Sequence, residues 1–278
     1  MEKKRTQAKP PRPLPAVPGA VPDHPHSGQE ENGEPRSLAG LRVSEERYWA
    51  EFYEDPDICY EWNDGTLEEK PLPDYEQVLL YGWFQQLLRC FLTVHPIAKL
   101  LYLEMGVRFQ LPRKTAIRKP DLFVVRHDNP LPLGNNDRSY RGICDLCVES
   151  LSDSNKKEIE RDTKQKKGEY EAAGVHEYYI LDARGAYTTF LQRTPRGVYV
   201  PIIPDQGVIR STSLPGFQFR IIDLYHQPSL LALSADEVYQ GFVLPEYQQE
   251  KARADLEKAR ADRLAAKLRE LGIDETTL

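Results

Sequence analysis

The sequence predicts an α/β fold: a mixed β-sheet flanked by helices, with a disordered N-terminal tail and a helical C-terminal tail. Three observations carry this. Ile143 to Glu149 is apolar on both faces, as expected of a strand at the centre of a sheet covered by helices. Val78, Leu79, Trp83, Leu87, Leu88, Phe91 and Leu92 recur with helical spacing. A lysine-rich helical stretch then closes at Gly174 and is followed at once by the β-rich run Tyr178-Tyr179-Ile180-Leu181-Asp182.

Taken in order, residues 1–38 combine many prolines with glycine, serine and charged residues and show almost no apolar period. Such a segment cannot bury enough surface to offset its ordering entropy. His24 and His26 lie within it and read as solvated. A folded domain is expected over 39–235. It opens with a short helix from Ser44 to Ala50 and a hairpin turning at Asp64-Gly65. Asp74 caps the long helix, which ends near His95-Pro96. Leu100 to Leu111 reads as one strand, Pro112 to Arg118 as a polar link, and Asp121 onward as the next strand. A loop spans Asp128 to Arg141. Asn155 and Glu158 have the spacing of a capping box at the start of the lysine-rich helix. Strands follow at 177–182, 186–193 and 198–203, with a last extended piece from Leu214 to Leu224. Residues 236–278 form the tail, where Lys251-Ala252-Arg253-Ala254-Asp255 recurs seven residues later at Lys258. That repeat aligns Ala254, Ala261 and Leu268 in a thin, mostly alanine seam, which suits a solvated helical tail better than a stable coiled coil and leaves weak homo-oligomerisation open.

The 278 residues carry a net charge of −6, which argues against holding nucleic acid on a broad basic surface. Lys and Arg nevertheless cluster at 108–119 and 156–167, which leaves room for a local basic groove. No apolar run reaches the ~20 residues of a membrane span, so a soluble, cytoplasmic chain is expected. Cys144 and Cys147 have C-x-x-C spacing, but on one strand they would face opposite sides, and no second pair completes a zinc site. They read as small buried hydrophobes.

Two carboxylates carry the chemistry. Asp121 follows Pro120 at the start of a strand, and Glu149 ends an apolar run that would bury it. A buried carboxylate needs a partner, a metal or a proton. On the following helix Lys166 lies seven after Ile159 and four before Tyr170, so it projects from the inward stripe, with Lys167 next nearest in angle. Asp162 lies four before Lys166 and could instead form an ordinary surface pair with it. Asp121 and Glu149 would offer hard oxygen ligands to Mg²⁺ or Mn²⁺, and Lys166 would orient a water or neutralise charge at phosphorus. Glu61, in the hairpin, is either a further carboxylate on the metal side or an exposed strand residue.

Pro120-Asp121, Glu149-x-x-Ser152, Asp162-x-x-x-Lys166-x-x-x-Tyr170 and Gly174-Val175-x-Glu177-Tyr178-Tyr179-Ile180-Leu181-Asp182 together resemble the Uma family within the PD-(D/E)-x-K nuclease superfamily. The resemblance covers about residues 40–225. It implies a restriction-endonuclease-like core, metal held by Asp121 and Glu149, and DNA as substrate. Position 151, two after Glu149, is leucine rather than the superfamily lysine, and the family pattern assigns the lysine role to Lys166. Many members carry a histidine where this chain reads Tyr75-Glu76-Gln77. The expected function is a Mg²⁺- or Mn²⁺-dependent endonuclease. The alternative is a catalytically inactive nuclease-fold module that binds nucleic acid or a protein partner.

Overall fold

The computed structural model describes residues 36–152 and 155–271. The tail expected over 1–38, with His24 and His26, lies almost wholly outside the described residues. Helix α1 (Glu45–Arg47), capped by the Ser44 side chain, continues as a π-helical segment, Tyr48–Phe52. Strands β1 (Tyr60–Asn63) and β2 (Thr66–Glu69) form the hairpin expected at Asp64-Gly65. Both turn residues have positive φ, 47° and 90°, which an Asp-Gly pair tolerates. Helix α2 (Tyr75–Val94) starts where the Asp74 carboxylate accepts from Gln77 N.

The single strand expected over Leu100–Leu111 is instead two, β3 (Ala98–Leu101) and β4 (Gly106–Gln110). Leu103 and Glu104 both adopt φ 61° and break the run, a conformation their residue types do not advertise. The expected polar link contains β5 (Thr115–Arg118), paired with both β1 and β4. Its charge hid it: Arg118 is 0% exposed, which becomes tolerable only once carboxylates surround it. Strand β6 (Leu122–Arg126) follows, then the short β7 (Ser139–Tyr140) inside the expected loop, then β8 (Leu146–Ser150). Because β8 begins only at Leu146, the period-two argument does not reach Cys144. Cys144 and Cys147 are free thiols buried in the same core rather than on opposite faces.

Helix α3 (Lys156–Glu160) has the expected Asn155 cap, a π-helical segment spans Arg161–Lys166, and α4 (Lys167–Ala173) ends at Gly174 with φ 95°. Strands β9 (Glu177–Leu181), β10 (Thr189–Arg193) and β11 (Tyr199–Pro201) lie where strands were expected. Strands β12 (Val208–Arg210) and β13 (Gln218–Arg220) and helices α5 (Asp223–His226) and α6 (Leu230–Ser234) follow. Residues 236–244 contribute Val238, Tyr239, Phe242 and Val243 to the main core. Helix α7 (Pro245–Glu270) then carries the seven-residue repeat and buries no residue. Among the described residues no helix is long and apolar enough to cross a membrane.

A six-stranded sheet runs β11-β10-β9-β8-β6-β3, with β8 and β9 parallel and the other pairs antiparallel. The crossover from β8 to β9 passes through α3 and α4, the usual way of joining parallel neighbours. A five-stranded sheet runs β2-β1-β5-β4-β7, and β12 pairs with β13. Alternation along β8 sends Leu146 and Val148 into one core with α2, where Phe84, Leu87 and Phe91 pack. Cys147 faces the other core, with Val107 and Phe109 of β4 and Tyr170 of α4. Glu149 shares the parity of Cys147 and so points between the two sheets.

Arg118 joins β5 to its surroundings through Glu61, Glu68 and Glu169. Arg118→Met therefore strands buried carboxylates and is expected to cost roughly 3–5 kcal/mol. Arg89→Met, on the exposed side of α2, should cost within ~0.5 kcal/mol. Urea unfolding of the two variants measures the contrast, and equal midpoints would contradict it.

Candidate active site

The register Leu122↔Val148 carries Asp121 up beside Glu149 and Ser150 at the end of the antiparallel β6–β8 pair. Ser150 N donates to Asp121 Oδ2 at 2.6 Å, which fixes one of its oxygens. Glu149 Oε2 accepts from Lys166 Nζ at 3.0 Å and Oε1 accepts from the Tyr170 hydroxyl at 2.5 Å. Lys166 Nζ also lies 3.3 Å from Glu61 Oε1 and 3.3 Å from Asp162 Oδ1. Lys166 is 1% exposed, so Asp162 and Lys166 are a buried pair and not a surface one. Lys156, Lys157 and Lys164 are exposed, and Lys167 is half-buried.

The backbone explains why three residues four apart all point inward. In an α-helix a step of four overshoots one turn of 3.6 residues, so the side chains drift round the axis. The wider π turn falls short instead, drifting the opposite way. Asp162 to Lys166 lies in the π-helical segment and Lys166 to Tyr170 mostly in α4, so the two drifts offset.

Two neighbours of this cluster, Lys70 and Tyr170, were not legible as such, and a third, Glu61, had two readings. Lys70 Nζ sits 2.8 Å from Asp121 Oδ1 and donates to the Lys119 carbonyl at 2.9 Å. Its place in the run Glu68-Glu69-Lys70 reads as solvated charge. Tyr170 looked like a member of an apolar stripe, and its hydroxyl is the part that meets Glu149. Glu61 is 0% exposed, which removes the exposed-strand alternative. It accepts from Arg118 Nη1 at 3.1 Å and Lys119 N at 2.8 Å. The signal was present in its flanks, since Tyr60 and Trp62 make β1 apolar around it. Leu151, at the expected lysine position, is buried in the core beside Cys147.

Asp121, Glu149, Ser150, Asp162, Lys166 and Lys70 line a cleft of about 380 Å³. Glu61 lies behind it. The electrostatics follow from three carboxylates sharing one ammonium. Burial pushes the Glu149 carboxyl up to about 8, with Lys166 opposing and Asp121, Asp162 and Glu61 adding to the rise. Burial also raises Asp162, against Lys166 and Arg161. Burial would raise Glu61 too, but Lys166, Arg118 and Arg161 outweigh it and hold it below the usual carboxylate range. Lys166 stays charged: desolvation disfavours its ammonium, and Glu149, Glu61 and Asp162 together overcome it. Lys70 is likewise held above the ordinary lysine range, chiefly by Asp121 against desolvation. Among the described residues no group of three or more His, Cys, Asp and Glu is arranged to hold a metal ion. The cleft thus offers a metal two protein carboxylates, Asp121 and Glu149, with a third, Asp162, whose Oδ1 is buried without a hydrogen bond.

Because Glu149 is raised on folding, the folded chain binds more protons than the unfolded chain between about pH 4.5 and 8. Its contribution is therefore present at the acid end of that window and lost as pH rises through it, with a slope of up to ~1.4 kcal/mol per pH unit. Urea unfolding in chelator from pH 5 to 8 should show that slope in the wild type and not in Glu149→Gln. Parallel slopes in the two proteins would contradict it.

A family model described as Uma2, "Putative restriction endonuclease", matches residues 46–224. No curated protein matches the chain. Among solved structures, the chain is similar to one described as a "putative nuclease belonging to DUF820" from Anabaena variabilis ATCC 29413. The two share 17% sequence identity and a TM-score of 0.49, covering 64% of this chain and 97% of the other. With well over half of its 278 residues matched, the chain belongs to the Uma2 family of restriction-endonuclease-like proteins.

Proposed function

We propose that the protein is a metal-dependent endonuclease that hydrolyses DNA phosphodiester bonds by attack of a metal-activated water. The observation that carries this is the placement of Asp121 and Glu149 side by side at one end of the β6–β8 pair, on a cleft that Lys166 also lines. Asp121 and Glu149 would hold Mg²⁺ or Mn²⁺, hard cations commonly bound by one or two carboxylates with water and substrate phosphate completing the shell. The donor set fits: every candidate ligand is oxygen, and Glu149 is short of positive charge even with Lys166 beside it. Bound there, the ion would supply a Lewis acid that lowers the pKa of a water and screens the phosphate.

The chain's own residues would divide the remaining work. Tyr170 fixes Glu149 through Oε1, which leaves Oε2 and the Lys166 ammonium at the cleft. Lys166 cannot act as a base while three carboxylates hold its proton; it would neutralise charge that builds up at phosphorus. Ser150 N and Lys70 orient Asp121. We further place the protein in the cytoplasm, with weak self-association through the exposed α7. Sedimentation at rising concentration reads the latter.

One observation favours a second reading. Asp121 and Glu149 each already have an ammonium beside them, Lys70 and Lys166, so neither lacks a cationic neighbour in the absence of a metal ion. The protein would then be an inactive nuclease-fold module that binds nucleic acid or a protein partner. Calorimetric titration with Mn²⁺ in the presence of DNA separates the two, since no uptake by the wild type favours the module.

Asp121→Ala and Glu149→Ala should each lower DNA cleavage in Mg²⁺ or Mn²⁺ by more than the ~10–100-fold that loss of an outer-shell partner costs. Undiminished cleavage in both variants would falsify the endonuclease reading.

A further inference from the structure

The cleft that holds Asp121 and Glu149 is lined by six acidic side chains and three cationic ones, Lys70, Arg161 and Lys166. A phosphodiester entering it meets more negative than positive charge, so the state of each cation decides what the cleft can hold. Lys70 is committed to Asp121 at 2.8 Å. Lys166 is committed to three carboxylates. Arg161 differs. Its guanidinium makes no hydrogen bond to a carboxylate among the described residues, and the nearest, Asp162 Oδ1, is 3.9 Å from Nε. Nη1 donates to the Glu69 carbonyl at 2.7 Å, which anchors the side chain against the end of β2. Nε is buried and has no hydrogen-bond partner among the described residues.

A buried donor without a partner is costly, and a guanidinium anchored at one nitrogen loses little further freedom when it binds. The remaining N–H groups of an arginine suit the non-bridging oxygens of a phosphate. We propose that Arg161 is the substrate-binding arginine of this cleft, its Nη2 group, which is neither buried nor hydrogen-bonded among the described residues, donating to a non-bridging oxygen of the phosphodiester. The inference rests on the phosphodiesterase reading for its choice of ligand, but it concerns binding and not the hydrolytic step. The π-helical segment positions it: Arg161 opens that segment and Lys166 closes it, so one irregular stretch brings both cations to the same cleft.

The test uses the full chain and bis(4-nitrophenyl) phosphate, a diester small enough for the cleft. Binding is read by saturation-transfer NMR with Ca²⁺, and hydrolysis separately with Mn²⁺ through release of 4-nitrophenolate. Arg161→Ala and Arg161→Gln should weaken binding at least ~tenfold, the effect of losing one charge-assisted hydrogen bond. Arg161→Lys, which keeps the charge, should lose less, and KM should rise more than kcat falls. Wild-type affinity in the folded Ala and Gln variants overturns the proposal. Should those variants unfold, the wild type decides by the Nε–H resonance of the same Arg161 guanidinium, assigned by its absence in Arg161→Lys. A shift on adding the diester supports the proposal, and a resonance that stays in place overturns it. A wild type that binds the diester through Arg161 yet never hydrolyses it leaves this inference standing and removes the endonuclease reading. A wild type that binds no diester removes the Arg161 inference.

Discussion

One ammonium holds the centre of this molecule together. Lys166 reaches from the helix between β8 and β9 to Glu149 on the six-stranded sheet and to Glu61 on the five-stranded sheet. Three carboxylates around one buried cation is an arrangement with charge left over. Apolar packing alone does not require it, since replacing buried ions by well-packed hydrophobic groups is often neutral or stabilising. Burial, with the neighbouring carboxylates adding to it, raises the Glu149 carboxyl to about 8, while Glu61, with Arg118 as a second partner, is held low. Arg118 extends the same network through Glu169 to α4, the helix that also supplies Tyr170. Two sheets and a helix are thereby registered by charge where they also meet by packing.

That dependence on paired charge sets the limit of what could be read from the sequence. Elements announced by apolar period or turn chemistry were legible: α2 by its 3.6-residue stripe, the β1–β2 hairpin by Asp64-Gly65, the end of α4 by Gly174, and β8 and β9 by their continuous apolar runs. Elements whose inward residues are charged were not. Strand β5 looked like a link because Arg113 and Lys114 run into it and its inward Arg118 is charged, and Lys70 looked solvated. Arg118 is buried, and Lys70 largely covered, only beside carboxylates distant in sequence, and a single chain read locally contains no record of that pairing. The break between β3 and β4 was hidden for a different reason, because Leu103 and Glu104 are not residues from which positive φ is inferred.

The cluster itself shows the same division. Asp121 and Glu149 could be singled out because each interrupts or borders an apolar strand, and Lys166 because helical spacing placed it inward. Their closeness could not be derived, since it depends on the β6–β8 register and on a π-helical segment that no residue of Arg161–Lys166 advertises. A regular α-helix through the same residues would turn Asp162, Lys166 and Tyr170 progressively away from one another.

The irregular helix also accounts for where the cation beside Glu149 comes from. Position 151 is buried in the core that also holds Cys147 and is filled by leucine, so an ammonium there would have to be desolvated in an apolar cluster. Supplying the cation from the helix instead puts it between two sheets, where three carboxylates compensate its desolvation. The consequence is a side chain that is strongly held and strongly charged, suited to shaping the field in the cleft and unsuited to moving far or giving up a proton. Groups that must exchange partners with an incoming ligand have to come from elsewhere on the cleft wall, and the donors least committed by existing bonds are where that exchange costs least.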